Sequence, residues 1–422
     1  MKVNLAYGQG HLQVDLPESR VTVITPSHKP GIVDEKAAVM QSLRTPIGAL
    51  PLNQWLHPGA RICIAFTDIT RATPNDRIIP WLLEHLEAGG VAPGQITLLN
   101  QLGTHRPNTV AELEKMLTPA VVRNYRVVNH EPENLEAHIQ VGTTRDGTPA
   151  WINKHLVEAD VRIVTGFIEP HFFAGFSGGP KGIMPGCAAL ETVMSNHGSS
   201  NIGDPNSTFG ITTGNPIWEE IRDIALRVGP SFLLNVTLNE RRDITGVFSG
   251  DLLAAHREGF EFVRGQAMQK VEAPFDIVVT TNSGYPLDMN LYQGVKGMSA
   301  AARIVKPGGT IILACECCQG VPSNSPLDLL LRSAGSSEEI LTLLATPGFI
   351  RPEQWQAQIQ ALIQRRAEVI VYSSLPDEVI WAAHLTPCRD ISATVAATLE
   401  QLGADARVAV LPQGPLTIPY LS

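Results

Sequence analysis

Residues 61–100 read RICIAFTDITRATPNDRIIPWLLEHLEAGGVAPGQITLLN. RICIAF (61–66) is a short apolar run of strand type, TDITRATPND is a polar loop, and RIIPWLLEHLEAGG sets apolar residues at helical spacing before stopping at Gly89-Gly90. QITLLN (95–100) is a second strand. A strand, loop, helix and strand in this order predict a βαβ unit and a parallel sheet. The pattern then repeats: QLGTHRPN is a loop, TVAELEKML is a helix opened by a capping box at Thr109 and Glu112, and VRIVTGF (161–167) is a strand leading into the Gly-rich EPHFFAGFSGGPKGIMPG. Each polar cluster follows the carboxyl end of a strand, where ligands sit in open α/β sheets.

A second series runs through FDIVVTTN (275–282), the helical MNLYQGVKGMSAAARIV, GGTIILA, the helical RPEQWQAQIQALIQRR, EVIVYSS, ISATVAATLEQLG and RVAVLPQ. The helical pattern of LLAAHREGFEFV ends in GQAMQKVEAPFD (265–276), which reads as a domain junction. The expected architecture is α/β, with two α/β domains of mainly parallel sheets and an active site in the cleft between them. Residues 1–266 form the N-terminal domain, 275–406 the C-terminal one, and 407–422 a tail returning to the first.

With 422 residues, 44% apolar and 17% charged, the chain has the composition of a folded globular protein. Its 32 Lys and Arg against 41 Asp and Glu give a formal net charge of −9, which removes the basic footprint that nucleic acid requires. No apolar stretch approaches the roughly 20 residues of a membrane helix, so no membrane partner is expected. The opening MKVNLAYGQGHLQVDLP has neither a basic n-region nor an apolar h-region, and the six cysteines are irregularly spaced. A cytoplasmic chain with reduced thiols is expected. Cys315-Glu-Cys317-Cys318 follows the apolar run TIILA and has no second CxxC, so it reads as a strand end with packed thiols.

SGGPKG is not a P-loop, because Pro180 and Gly182 flank Lys181 where Gly and Ser or Thr are needed. The first strand-to-helix turn lacks G-x-G-x-x-G, so a nicotinamide dinucleotide site has no direct support. What remains is a flexible turn with exposed N–H groups and one amine, suited to anchoring a phosphate-bearing group. Most of the twelve histidines, His85 and His256 among them, sit in helical or polar surroundings where a surface or core role is the default. His105 and His171 each lie in a loop just past a strand, and His197 closes the segment that starts at Lys181. Imidazoles so placed are candidates for proton transfer or metal ligation. Arg71 offers a planar fork for a carboxylate or a phosphate, or for pairing with Asp68 or Asp76 nearby. Lys296 lies on a helix near Gln293, with Tyr292 and Ala300 rather than acids at i ± 4.

TDITRATP, GTHRPNT, GFIEPHFFAGFSGGPKGIMPG, MSNHG, NSGYPLDMNLYQGVKGM and PEQWQAQI, in this order, resemble the nickel-dependent lactate racemase family, its catalytic subunit and related 2-hydroxy acid racemases and epimerases. The spacings agree as well, with ten positions from His171 to Lys181 and sixteen from Lys181 to His197. The resemblance implies an isomerase that inverts C2 of lactate or a related short 2-hydroxy acid such as malate. The implied route is proton-coupled hydride transfer to a nickel pincer nucleotide, through a bound 2-keto acid. That cofactor is a pyridinium-3,5-bisthiocarboxylate mononucleotide of nickel, which the family attaches covalently to a lysine, here Lys181. His197 matches the nickel ligand, and His105 and His171 the acid/base pair. Arg71, Lys296, Gln293, Tyr292 and Trp355 match substrate-binding positions, and Asp68, Thr70, Phe176, Gly178 and Gly179 cofactor-binding ones. Cofactor-biosynthesis proteins are implied partners. Ile69 and Pro180 depart from the family pattern, and Ile69, Phe172 and Phe173 favour a small or apolar side chain on the acid. Two other readings stay open: a nicotinamide-dependent 2-hydroxy acid dehydrogenase, and a non-catalytic nickel-binding protein using His171, His197 and the cysteine segment.

Overall fold

The computed structural model describes residues 1–27, 29–321 and 325–421. It divides into two compact units, His28–His197 with Asn206–Gly265, and Met1–Ser27 with Gly198–Pro205 and Gln266–Ser422.

The first unit is built on a six-stranded sheet in the order Ile244–Asp251, Phe232–Leu238, Val161–Phe167, Ile62–Thr67, Ile96–Gln101, Arg126–Asn129. All neighbours are parallel except the outermost pair, Phe232–Leu238 with Ile244–Asp251. Ile62 through Phe66 are buried without alternation, which means that both faces of the sheet are covered, as parallel sheets require. The helix Asn75–Ala88 supplies part of that cover by burying Ile78, Ile79, Leu82, Leu83 and Leu86. At about 2 kcal/mol for each buried aliphatic side chain, this stripe contributes on the order of 10 kcal/mol. The next helix, Val110–Leu117, starts on the expected capping box: Thr109 Oγ1 accepts from Glu112 N at 3.3 Å, and Thr109 N donates to the Glu112 carboxylate at 2.8 Å.

The second unit holds a fully parallel six-stranded sheet in the order Thr386–Cys388, Glu368–Tyr372, Val305–Ala314, Phe275–Thr281, Val408–Leu411, Val21–Val23. Both chain ends lie here, which corrects two expectations. Residues 1–27, read with the N-terminal domain, belong to this unit: Val21–Val23 forms its edge strand, and the hairpin Lys2–Tyr7/Gly10–Asp15 adds Leu5 and Val14 to a core with Ile277, Ile312 and Val408. The C-terminal segment also stays here, because Val408–Leu411 lies inside the sheet and Ile418–Leu421 pairs with Met268–Val271. Strand periodicity is local, whereas the choice of sheet is made by distant partners. Among the described residues no helix is long and apolar enough to cross a membrane.

Replacing Thr109 by Ala removes one half of the capping box, worth about 1 kcal/mol. Amide exchange at Glu112 and Leu113 should accelerate about fivefold. Unchanged protection at those amides would show that the cap does not hold this helix end.

Candidate active site

Three adjacent parallel strands, Val161–Phe167, Ile62–Thr67 and Ile96–Gln101, end on the same edge of the first sheet, and the loops that leave them carry the candidate residues. Asp68 follows the middle strand directly and is buried. Its carboxylate accepts from Thr70 Oγ1 at 2.9 Å and lies 2.9 Å from His105 Nδ1 and 3.8 Å from Arg71 Nε. Burial alone raises the Asp68 pKa, but the His105 bond and charge, then Arg71 and Thr70, outweigh it and hold the group below the ordinary carboxylate range. An ionised carboxylate only accepts, so His105 Nδ1 carries a proton and donates it, and in the neutral form of the ring Nε2 is the nitrogen with the lone pair. The imidazole is thereby set up as a proton acceptor.

Side chains that the sequence reading passed over hold this cluster. Asn108 Oδ1 accepts from Asn100 Nδ2 at 2.8 Å and from Ile69 N at 3.4 Å, and Asn129 Nδ2 donates to Asn108 O at 2.9 Å. Asn100 and Asn108 are both buried; the sequence marked only Asn100, a polar residue closing the apolar run ITLL, while Asn108 stands in a polar loop.

The Gly-rich segment is not the flexible turn expected. Pro170–His171 pairs antiparallel with Gly175–Phe176 in a tight hairpin, and Gly179–Gly182 forms a 3₁₀ turn in which Gly179, Pro180 and Gly182 are buried. Gly178 and Gly179 adopt φ of 74° and 55°; a Cβ on either would lie 2.4 Å from a side-chain atom, Asn235 Oδ1 and His256 Cγ respectively. Only glycine combines that conformation with so close an approach. Phe176 is corrected from the cofactor-binding set: its side chain is fully buried and stacks on Phe260 at 5.0 Å, so it is core.

Phe173 gathers the remaining candidates. Its ring lies 4.5 Å from the His171 ring, 4.9 Å from the His197 ring and 5.7 Å from Lys181 Nζ. Its carbonyl accepts from the buried Asn215 Nδ2 at 2.9 Å. His171 Nδ1 accepts from Ala174 N at 3.3 Å and Phe173 N at 3.5 Å, so its neutral ring carries the proton on Nε2, opposite to His105.

His197 ends the helix Leu190–Asn196 and is almost wholly buried. Burial, with a smaller push from the Lys181 charge, lowers its pKa to about 3, so the ring is neutral. Asn196 Nδ2 donates to Glu220 Oε2 at 2.7 Å and to Ile217 O at 3.3 Å, which turns Asn196 Oδ1 toward His197 Nδ1 at 2.9 Å. Nδ1 therefore carries the proton and Nε2 the lone pair. A neutral imidazole whose second nitrogen donates to a fixed acceptor is how a metal-binding histidine is prepared. Among the described residues no three His, Cys, Asp or Glu side chains converge on a metal position. Cys315 and Cys317 are buried beside each other, Sγ to Sγ 3.4 Å.

Residues 7–210 match the family model described as the lactate racemase N-terminal domain, and residues 270–418 match the lactate racemase C-terminal domain. The chain belongs to the lactate racemase family. It is 33% identical to a lactate racemase of Thermoanaerobacterium thermosaccharolyticum over 98% of this chain and 97% of the relative, and 36% identical to one of Lactiplantibacillus plantarum over 90% of each. A solved lactate racemase apoprotein from T. thermosaccharolyticum superposes with a TM-score of 0.93 at 32% identity, covering 99% of this chain and 100% of that one. A protein of Thermotoga maritima shares the fold, with a TM-score of 0.69 at 21% identity over 94% of this chain and 100% of that one. The two curated relatives and the T. thermosaccharolyticum structure are lactate racemases, and this chain is an isomerase of their family with its two α/β domains.

In the second unit, the lactate racemase family chain places Tyr292, Gln293 and Lys296 on the half-buried side of the helix Leu291–Ala302, which Asn290 caps by accepting from Gln293 N at 3.0 Å. Trp355 Nε1 donates to Tyr292 Oη at 3.2 Å, bringing these residues together.

Burial lowers the pKa of His130 and of His256 to about 4. Both bind a proton less readily folded than unfolded, so the stability they contribute is complete above about pH 6.5 and is lost as the pH falls toward 4. The thermal midpoint should drop across that window, and a flat profile there would contradict neutral buried rings.

Proposed function

We propose that this chain is a racemase that inverts C2 of a short 2-hydroxy acid, lactate first, with a nickel pincer nucleotide attached to Lys181 and His197 as its protein ligand to nickel. The observation that carries the reading is the preparation of His197: neutral and buried, with its Nδ1 proton directed to Asn196 Oδ1 by the Asn196 and Glu220 chain, so that Nε2 is the unprotonated nitrogen. When bound, the cofactor supplies the acceptor and donor for the hydride of C2. Soft sulfur and one imidazole make a donor set that Ni(II) favours. Gly178, Gly179 and Thr70 are the proposed neighbours of the nucleotide; the absent Cβ atoms of the two glycines make room for Asn235 and His256 behind the turn.

His105 takes the hydroxyl proton at Nε2 in one substrate pose, and Asp68 stabilises the imidazolium that results. His171 does the same in the other pose. Because Phe173 N and Ala174 N donate to its Nδ1, the ring must turn or exchange its tautomer before Nε2 can accept. Arg71, whose guanidinium is 3.8 Å from Asp68 and partly exposed, is the proposed carboxylate partner, suited by its planar fork. Orienting the acid this way makes proton and hydride transfer effectively unimolecular. Lys296, Gln293, Tyr292 and Trp355 are the substrate-binding residues proposed for the second unit. Ile69 and Phe172 suit a methyl side chain over a polyol, and a short diacid such as malate is the nearest competitor. A cytoplasmic setting with cofactor-synthesis proteins as partners completes the reading.

Chain produced together with those proteins should gain the cofactor mass at Lys181 in peptide mapping and lose the optical rotation of enantiopure lactate. An unmodified chain that oxidises lactate with NAD would instead identify a dehydrogenase. His197→Ala should lose nickel by elemental analysis. His105→Ala and His171→Ala should keep it and lose turnover by about 10²-fold or more; normal racemisation by either variant would remove that histidine from the mechanism. Asn196→Ala, which frees the His197 tautomer, should weaken nickel retention by about 10- to 100-fold.

A further inference from the structure

The turn that carries Lys181 rests on a histidine with no part in the proton transfers above. His256, on the helix Leu252–Ala267, is fully buried. Its Nε2 is 2.9 Å from Ser177 O, and because a carbonyl only accepts, Nε2 holds the proton. Nδ1 is then the bare nitrogen, buried and without a hydrogen-bond partner among the described residues. Leaving a buried acceptor unpaired costs free energy, so this histidine is not explained by satisfying its own polar atoms.

Its contacts show what it does. The ring meets Phe260 edge-on at 5.2 Å, and Phe260 stacks on Phe176 at 5.0 Å. It also fills the space beside Gly179, where a Cβ would lie 2.4 Å from Cγ and 2.6 Å from Nδ1. Ser177 is held at its other atoms too: its N donates to Glu169 O at 2.9 Å and its Oγ to Phe167 O at 3.0 Å. Gly179 N donates to Asn235 Oδ1 at 2.8 Å. The segment from Ser177 to Lys181 is thus pinned at Ser177 by His256 and at Gly179 by Asn235. The buried His256 ring stays neutral at physiological pH and adds no second cation beside the amine.

We propose that His256 is a positioning residue for Lys181: its Nε2–H bond to the Ser177 carbonyl, and its ring against Gly179, fix the turn that presents the Lys181 amine. The proposal rests on the reading of Lys181 as the cofactor anchor, but its test is made on the full chain without cofactor.

Trace acylation with an N-hydroxysuccinimide acetate ester, followed by peptide mass spectrometry, measures Lys181 against the exposed Lys115 in the same sample. His256→Met, which keeps bulk and removes the donor, should raise the Lys181 to Lys115 labelling ratio by about fivefold, the usual worth of one neutral hydrogen bond. Amide exchange over 177–182 should accelerate with it. His256→Gln, which restores an N–H donor, should stay within about twofold of the parent. A Met variant that labels like the parent, or a Gln variant as disturbed as Met, overturns the proposal. Should the Met variant not fold, ¹⁵N spectra of histidine-labelled parent chain decide: a proton on His256 Nε2 supports the assignment and one on Nδ1 overturns it. Absence of a cofactor adduct at Lys181 in the loaded parent would remove the anchor reading and leave the labelling result standing.

Discussion

Parallel pairing of Val161–Phe167, Ile62–Thr67 and Ile96–Gln101 is the constraint from which the candidate active site follows. Parallel strands finish on one edge, so the loops that leave them are forced into proximity however far apart they are in sequence. Asp68 and His105 are 37 residues apart and meet at 2.9 Å. The same pairing buries both sheet faces, which is why the central strand Ile62–Thr67 is buried at every position up to Phe66.

Orientation is a second layer, supplied by buried amides. Asn108 holds the Asp68 loop, Asn196 sets the His197 proton, Asn215 holds the Phe173 carbonyl, and Asn235 caps the Gly179 amide. Burying an amide is unfavourable unless it is hydrogen-bonded, and each of these makes at least one directional bond into the site. The result is chemical rather than only structural. His105 and His197 both hold a proton on Nδ1, yet a buried carboxylate stands behind one and a neutral amide behind the other. A carboxylate stabilises imidazolium and suits proton transfer; an amide with a desolvated ring favours neutral imidazole and suits metal ligation.

Most of the candidate site could be read from one dimension because its chemistry is clustered locally: the residues from His171 to Lys181 fall in one segment, and Asp68 to Arg71 in another. Phe176 misled because an aromatic ring in a Gly-rich loop has the same sequence signature whether it faces a ligand or, as here, stacks on Phe260. His256 was passed over because an isolated histidine in an amphipathic helix carries no local mark of the turn it will support.

Strand and helix identity, the capping box at Thr109, the α/β class and the order of the chemical segments were determined by the sequence itself, since period and capping are properties of neighbouring residues. Only the tertiary structure decided that residues 1–27 complete the sheet of the C-terminal unit, that Phe173 gathers His171, Lys181 and His197, and which nitrogen of each histidine holds its proton. Those outcomes depend on partners remote in sequence, and a hydrogen bond or a sheet edge selects its partner by position in space.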